Sequence, residues 1–262
     1  MDKKKRAIVT ILVYFLVMII GVIISNKISN LIGGNIIDGM QVDEDNIIQK
    51  LIIQIPPTIC IIYMIKKYYG WENAGFTKAN KKSLIWFLPY VIVLIFMLKG
   101  FIVGIYTSIN SFDINTYKLL ILTFLGVSMA GFCEEVIFRG IVLDSFKSDK
   151  SMIGAMIFSS LGFSICHITT LIMGIPVLDV VWRVISSSLL GFSFVGLVIK
   201  INNIWPIILF HIIWNYIIMA SHAIRIEISI AAGLCNILNI VMAVVLWSII
   251  IKDEMKKKKA LI

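Results

Sequence analysis

The sequence predicts an all-α membrane protein, a bundle of about eight transmembrane helices, and two observations support this fold class. Of the 262 residues, 59% are hydrophobic and 15% are charged, whereas a soluble domain is closer to about 45–50% apolar and 25% charged. The lysines and arginines gather in short clusters beside apolar runs, which suits an anionic membrane surface. The sequence has no basic stripe with interleaved aromatic residues, so nucleic acid is not an expected partner.

Eight apolar runs are long enough to cross roughly 30 Å of hydrocarbon. They lie at about 7–25, 47–65, 84–106, 118–141, 152–172, 180–199, 204–220 and 229–251. The first run is longer than a typical signal-peptide core, so we interpret it as an uncleaved span. Two glutamates interrupt the fourth run, and three serines weaken the fifth. Because no internal repeat or domain boundary is visible, we expect one domain over 1–262, with a motif-bearing core at about 118–220.

The distribution of charge predicts the orientation of the spans. When alternate loops are compared, 18 of the 24 lysines and arginines fall on the side of both termini. The opposite loops hold the acidic cluster 43–45. The positive-inside rule therefore predicts that both termini are cytoplasmic. The richness in isoleucine, lysine and asparagine is typical of a low-GC bacterium, so we expect a multi-pass protein of its cell membrane, with lipids as partners.

Ionisable side chains inside the apolar runs mark a candidate functional site. A carboxylate in hydrocarbon costs roughly 2.5–3.5 kcal/mol on insertion scales, yet Glu134 and Glu135 are adjacent in the fourth run. Two of the three histidines, His167 and His211, also lie in apolar runs, and Asn215 follows one helical turn after His211. At about 1.5 Å per residue, these side chains fall in one slab of the predicted cytoplasmic half, so we expect them to converge.

Each of these residues alone has a structural interpretation. A single buried histidine is usually a packing residue, and an intramembrane asparagine often joins two helices. We interpret Glu135 with Arg139 as a structural ion pair, because they are i and i+4 in the favoured acid-before-base order. Glu134 differs, since the residue one turn upstream is Ala130 rather than a cation. Its combination with two histidines and an asparagine favours a function.

Three i, i+4 motifs occur in order on separate predicted spans: Glu134-Glu135-x-x-x-Arg139, Phe163-x-x-x-His167 and His211-x-x-x-Asn215. Together they resemble the motifs of the CAAX-protease and bacteriocin-processing family of intramembrane proteases, which includes the type II CAAX prenyl endopeptidases. The resemblance implies a helical bundle whose site opens to the cytoplasmic leaflet. By motif position, it also implies three roles: water activation by Glu134 and His167, oxyanion stabilisation by His211 and Asn215, and bracing of the fourth span by Glu135 and Arg139.

The residue types present suit peptide hydrolysis, which needs a water, a base and donors for developing negative charge. A metal is the main alternative, because Glu134, His167 and His211 could form a three-ligand zinc site. However, the sequence contains no His-Glu-x-x-His motif, and its four cysteines have no paired spacing. We therefore expect a site of glutamate and histidine without a cofactor.

We accordingly predict an endopeptidase that cleaves a membrane-bound peptide or protein near the cytoplasmic face. CAAX proteolysis requires a prenylated substrate cysteine, which a low-GC bacterium would generally lack, and the resemblance implies instead the maturation of peptides such as bacteriocins, or self-immunity. A transporter is one alternative, since polar groups near mid-membrane also mark substrate paths. A non-catalytic immunity protein on the same scaffold is another, although the complete motif set argues against it.

Overall fold

The computed structural model describes residues 2–31, 43–147, 152–226 and 229–260, and these ranges contain helices but no strands. Lys150 and Ile262, which entered the orientation prediction, lie outside them. The α-helices of the described part are α1 (Lys3–Leu31), α2 (Glu44–Met64), α3 (Leu88–Ser108), α4 (Ile114–Glu135), α5 (Leu143–Phe146), α6 (Met152–Cys166), α7 (Val177–Ile201), α8 (Trp205–Ala223) and α9 (Ser229–Ala260).

Short helical segments of other types extend several of these helices. Two are π-helical, Ile65–Tyr69 and Val136–Val142, and three are 3₁₀-helical, Lys81–Phe87, Ile109–Ser111 and His167–Met173. With these extensions, eight helices are long and apolar enough to cross a membrane, which confirms the predicted fold class. The fourth is longer than expected: it continues through the glutamates as far as Phe146, because the backbone stays helical across Val136–Val142.

Successive spans alternate in direction, so both ends of the described chain lie at one end of the bundle. We call this end the terminal face; the helix ends there include Lys3, Phe146, Met152, Ile201, Trp205 and Ala260. We call the opposite end the distal face; the helix ends there include Leu31, Glu44, Ile114, Met173, Val177 and Ala223. Neighbouring helices in the bundle are α1 with α2, α2 with α4, α4 with α8, α6 with α7, and α7 with α9.

Two segments of the chain pack against each other on the terminal side of the bundle. The π-helical segment Val136–Val142 is buried along its whole length. The connection 70–80 packs against it so closely that a Cβ atom on Gly140 would overlap the carbonyl oxygen of Ala74. The amide of Ile204 donates to the carbonyl of Gly75 at 3.1 Å, which fastens the same connection to the turn between α7 and α8.

Two of the helices that begin on the distal side, α2 and α4, have acidic caps. The carboxylate of Asp113 accepts hydrogen bonds from the hydroxyl of Thr116 at 2.6 Å and from its backbone amide at 2.8 Å, which stabilises the start of α4. These two bonds favour the ionised form and hold the pKa of Asp113 below its usual value. Asp43 caps α2 in the same way, through the amide of Asn46 at 2.9 Å.

Candidate active site

The two adjacent glutamates face different surroundings at the junction of α4 with the π-helical segment. Their side chains diverge by about 100° because a helix has 3.6 residues per turn. Glu134 borders a cavity and its side chain is 19% exposed, whereas that of Glu135 is fully buried. Single π-helical turns are frequent at functional sites. The two carboxylates therefore lie in different surroundings, Glu134 at a cavity and Glu135 in the predicted pair with Arg139.

Glu135 forms the centre of a buried charged cluster. Its Oε1 accepts a hydrogen bond from Nη1 of Arg139 at 3.2 Å, which is the predicted i, i+4 pair. The same oxygen accepts from Nδ1 of His211 at 2.7 Å, across 76 residues of sequence. This second contact was not predicted. It holds the imidazole of His211 in one orientation, with Nε2 directed away from Glu135.

His211 lies between the two glutamates. Its Nε2 is 3.8 Å from Oε2 of Glu134, on the other side of the ring from the contact with Glu135. A carboxylate at Nδ1 fixes that nitrogen as a donor. In a protonated ring Nε2 is an N–H donor too, beside the carboxylate that borders the cavity.

Phe163 is the aromatic centre of the site. Its ring centroid lies 5.0 Å from that of His167 and 6.1 Å from that of His211, both in edge-to-face geometry. The guanidinium of Arg139 packs over its other side at 3.7 Å, a cation–π contact that was not predicted. Phe163 thus joins the second motif to the buried charged cluster of the first.

His167 begins the 3₁₀-helical segment after α6, where the helix tightens. Its Nδ1 lies 3.0 Å from the backbone carbonyl oxygen of Phe163. Because a carbonyl oxygen can only accept, Nδ1 is the donor, and Nε2 keeps its lone pair. A neutral imidazole in this tautomer can accept a proton or orient a water molecule through Nε2.

Asn215 lies one turn after His211 on α8, and its side chain is half-buried. Within the described ranges, its amide forms no hydrogen bond with another protein group. Both of its polar atoms are therefore free to interact with a ligand. Asn215 borders the same cavity as Glu134 and His167, so the four predicted catalytic residues, which come from three separate spans, surround shared space.

Two adjoining cavities provide this space. One has a volume of about 210 Å³ and includes Glu134 in its wall, and the other, of about 390 Å³, includes His211. The residues that line both cavities are Lys50, His167, Arg183, Asn215 and Met219. The two cavities therefore meet at the candidate catalytic groups.

The cavity walls continue from the catalytic groups toward the distal face. Met173 and Ile175, at the distal end of the fifth span, line the smaller cavity, and His222, at the distal end of α8, lines the larger one. The buried segment Val136–Val142 lies on the terminal side of the catalytic groups. The prediction of cytoplasmic termini and the prediction of a cytoplasmic opening therefore point to opposite ends of the bundle.

The metal alternative requires three donors around one point. Among the residues that the structure describes, no group of three His, Cys, Asp or Glu side chains is arranged to hold a metal ion. Nδ1 of His211 is directed at Glu135 and Nδ1 of His167 at a carbonyl, so Nε2 is the nitrogen that each ring leaves for a ligand, as in histidines that coordinate a metal.

Two basic residues that line the cavities were not predicted as site residues. Arg183 and Lys50 were counted only for orientation, although each lies within a span and lines both cavities. The signal was present, because an ionisable residue inside a span is a candidate functional residue by itself. It was weak, because Arg183 follows the acidic Asp179 by one turn and therefore resembles one half of a helical ion pair.

The fold and the site together define a polytopic helical membrane protein with carboxylate, imidazole and amide groups around an intramembrane cavity. Residues 116–217 match the family model described as "Type II CAAX prenyl endopeptidase Rce1-like". The matched residues include all three motifs, so this part of the chain is similar to the family that the motifs resemble, a family of membrane proteases. No significant match is found among the curated proteins or among the solved structures.

Proposed function

We propose that the protein is an intramembrane endopeptidase that hydrolyses a peptide bond of a membrane-associated peptide or protein. The observation that carries this proposal is the division of labour between the glutamates. Glu134 borders the cavity within 3.8 Å of His211, while Glu135 stays buried and holds that same histidine. An acid–base carboxylate, a second base and two potential donors thereby border space that a peptide can enter.

In the proposed mechanism, Glu134 and Nε2 of His167 position a water molecule, and Glu134 accepts one of its protons. The resulting hydroxide attacks the carbonyl carbon of the scissile bond. The oxyanion accepts hydrogen bonds from the amide of Asn215 and from Nε2–H of His211, which Glu135 keeps protonated. Protonated Glu134 then transfers its proton to the amide nitrogen, the C–N bond breaks, and a carboxylate and an amine leave.

The substrate that we propose is a peptide that has reached the distal side of the membrane. The charge distribution favours cytoplasmic termini, and the cavity walls continue toward the opposite face. On this orientation, the substrate enters from the outer half of the membrane, in place of the cytoplasmic entry that the family resemblance implied. Export and maturation of a small hydrophobic peptide such as a bacteriocin or pheromone would provide such a substrate.

A comparison of peptides from cells tests the activity. Cells that express the wild-type protein, Glu134→Gln or the control Glu254→Gln are compared by mass spectrometry of membrane and secreted peptides. Glu254 is a carboxylate of α9 that lines neither cavity. We expect matured peptides with the wild type and the control but not with Glu134→Gln. Identical peptide sets in all three strains would refute the protease and leave the immunity or transport alternatives.

We further propose that the reaction needs no metal ion. Elemental analysis of purified protein that cleaves a peptide identified in that comparison, before and after chelation, tests this proposal. We expect activity to persist after chelation, without a stoichiometric metal. Loss of activity on chelation, with recovery on addition of zinc, would show that Glu134 and the histidines rearrange into a metal site.

A further inference from the structure

Arg183 lies in the cavity walls, and within the described ranges its guanidinium forms no hydrogen bond or ion pair. The residue is exposed and follows the start of α7 by six residues, roughly 9 Å along the helix axis. Such a charge is costly unless it is paired or solvated. In the described part of the chain, no carboxylate oxygen comes within 4.0 Å of its guanidinium, including that of Asp179 one turn earlier.

The carboxylate that lines the cavities lies beside a histidine and not beside Arg183. Among the described residues that line either cavity, Glu134 is the one with a carboxylate, and it lies 3.8 Å from Nε2 of His211. The guanidinium of Arg183 has no carboxylate of the described chain in contact, and low-polarity walls strengthen its attraction for an anion. A ligand that pairs with Arg183 therefore carries an anionic group.

The side chain of Arg183 suits a carboxylate in particular. A guanidinium is planar and donates two parallel hydrogen bonds to the two oxygens of a carboxylate, which gives both strength and a defined orientation. Arg183 borders the smaller cavity together with Glu134 and borders both cavities together with Asn215. A peptide whose carboxylate is held at Arg183 therefore has its backbone in the same space as the candidate catalytic groups.

We infer that Arg183 binds a carboxylate of the peptide substrate, either its C-terminus or an acidic side chain, and thereby selects the peptide bond that reaches Glu134. This inference rests on the proposed function. It makes Arg183 a specificity determinant on the distal side of the site, at a position outside the three sequence motifs. The role is separate from catalysis, because Arg183 holds the substrate at a point removed from the bond that is cut.

Matched peptides test the inference. Quenched fluorescent peptides with an apolar centre are prepared with a free C-terminal carboxylate or a C-terminal amide, and with one internal glutamate or glutamine. Cleavage by the full-length protein in phosphatidylcholine nanodiscs is compared for the wild type, Arg183→Gln and Arg183→Lys. The control is Lys99→Gln, which removes an exposed cation from α3 that lines neither cavity.

We expect the wild type and Lys99→Gln to prefer one carboxylate-bearing peptide over its neutral partner by about tenfold or more in kcat/KM, mainly through KM. In Arg183→Gln this ratio falls to about one, and Arg183→Lys recovers part of it, because an ammonium keeps the charge but loses the paired geometry. If the peptide with the C-terminal carboxylate is cleaved faster than the amide, the C-terminus is recognised. If the glutamate peptide is cleaved faster than the glutamine peptide, the acidic side chain is recognised. An equal preference in the wild type and Arg183→Gln would overturn the inference.

A binding measurement separates this inference from the protease proposal. Fluorescence anisotropy of the same labelled peptides is recorded with Glu134→Gln and with the double variant Glu134→Gln/Arg183→Gln. Carboxylate-dependent binding that requires Arg183 supports the anion site even if no peptide is ever cleaved. Cleavage that requires Glu134 but shows no carboxylate preference overturns the inference alone. Competition of the peptides with phosphatidylglycerol, without any carboxylate preference, would assign Arg183 to a lipid phosphate and also overturn it.

Discussion

The terminal and distal sides of this bundle are built in contrasting ways. On the terminal side, the segment Val136–Val142 is completely buried, the connection 70–80 packs onto Gly140, and Arg139 is paired with Glu135. On the distal side, two cavities separate the helices, and Arg183 and Asn215 present polar atoms to them. Glu135 and Arg139 of the closed side pair with each other, whereas Arg183 and Asn215 of the open side form no side-chain hydrogen bond within the described ranges.

This difference explains how one pair of adjacent residues can serve both stability and chemistry. Glu135 points into the closed side, where a buried carboxylate needs partners and finds Arg139 and His211. Glu134 points into the open side, where its nearest basic neighbour is Nε2 of His211 at 3.8 Å. The closed side therefore holds His211 in place at the edge of the open one, and the proposed mechanism requires such preorganisation.

Chemical labelling tests whether the cavities open toward the outside of the cell or toward the cytoplasm. Each cysteine variant is expected either to react fully in intact cells or not to react at all. Single cysteines replace His222, Met219 or Lys147 in a variant without the four native cysteines, and intact cells are treated with a small charged thiol reagent. We expect labelling of His222→Cys and Met219→Cys from outside, and of Lys147→Cys only after permeabilisation.

Lys147 is the control because it lies on the terminal face, whereas Met219 lines both cavities. Labelling of Lys147→Cys in intact cells would invert the proposed orientation. Labelling of Met219→Cys only after permeabilisation, while His222→Cys reacts from outside, would show that the cavity is entered from the terminal side.

Substitution of each glutamate in turn tests the division between catalysis and stability. Glu134→Gln should lower kcat by about 10²–10⁴-fold, with a change in unfolding free energy within about 0.5 kcal/mol. Glu135→Gln should cost about 3–5 kcal/mol of stability, because Arg139 remains as a buried charge without its partner.

Thermal unfolding in detergent, recorded beside peptide cleavage, checks both expectations. The two variants serve as controls for each other, since they make the same chemical change at neighbouring positions. Equal losses of stability in the two variants would contradict the difference in environment that the exposure of the two glutamates indicates.

Packing at Gly140 provides the smallest expected effect. Gly140→Ala places a Cβ against the backbone carbonyl of Ala74, so we expect a loss of about 1–3 kcal/mol from overpacking. Gly100→Ala is the matched control, because a Cβ there meets nothing within 4 Å. The control should stabilise its helix by up to about 1 kcal/mol.

Unfolding temperatures of the two alanine variants, measured in the same detergent, make this comparison. If Gly140→Ala were as stable as Gly100→Ala, the close packing of the closed side would not contribute to its rigidity.

The sequence by itself determined the spans, the resemblance to a protease family and the local pairs. Hydrophobic run length predicts membrane helices because each backbone must satisfy its own hydrogen bonds in hydrocarbon. Helical spacing likewise predicted the pair of Glu135 with Arg139 and the contact of Phe163 with His167, since residues four apart share a helix face. These features depend on near neighbours in the chain.

Only the tertiary structure decided which distant groups meet and where the open space lies. The contact of His211 with Glu135 joins positions 76 residues apart, and the packing of Arg139 over Phe163 joins two spans. Neither spacing nor hydropathy encodes the rotation of one helix against another, which packing of the whole bundle sets. For the same reason, the order of residues could not show that Arg183 lines the cavities, or that the cavities lie toward the distal face.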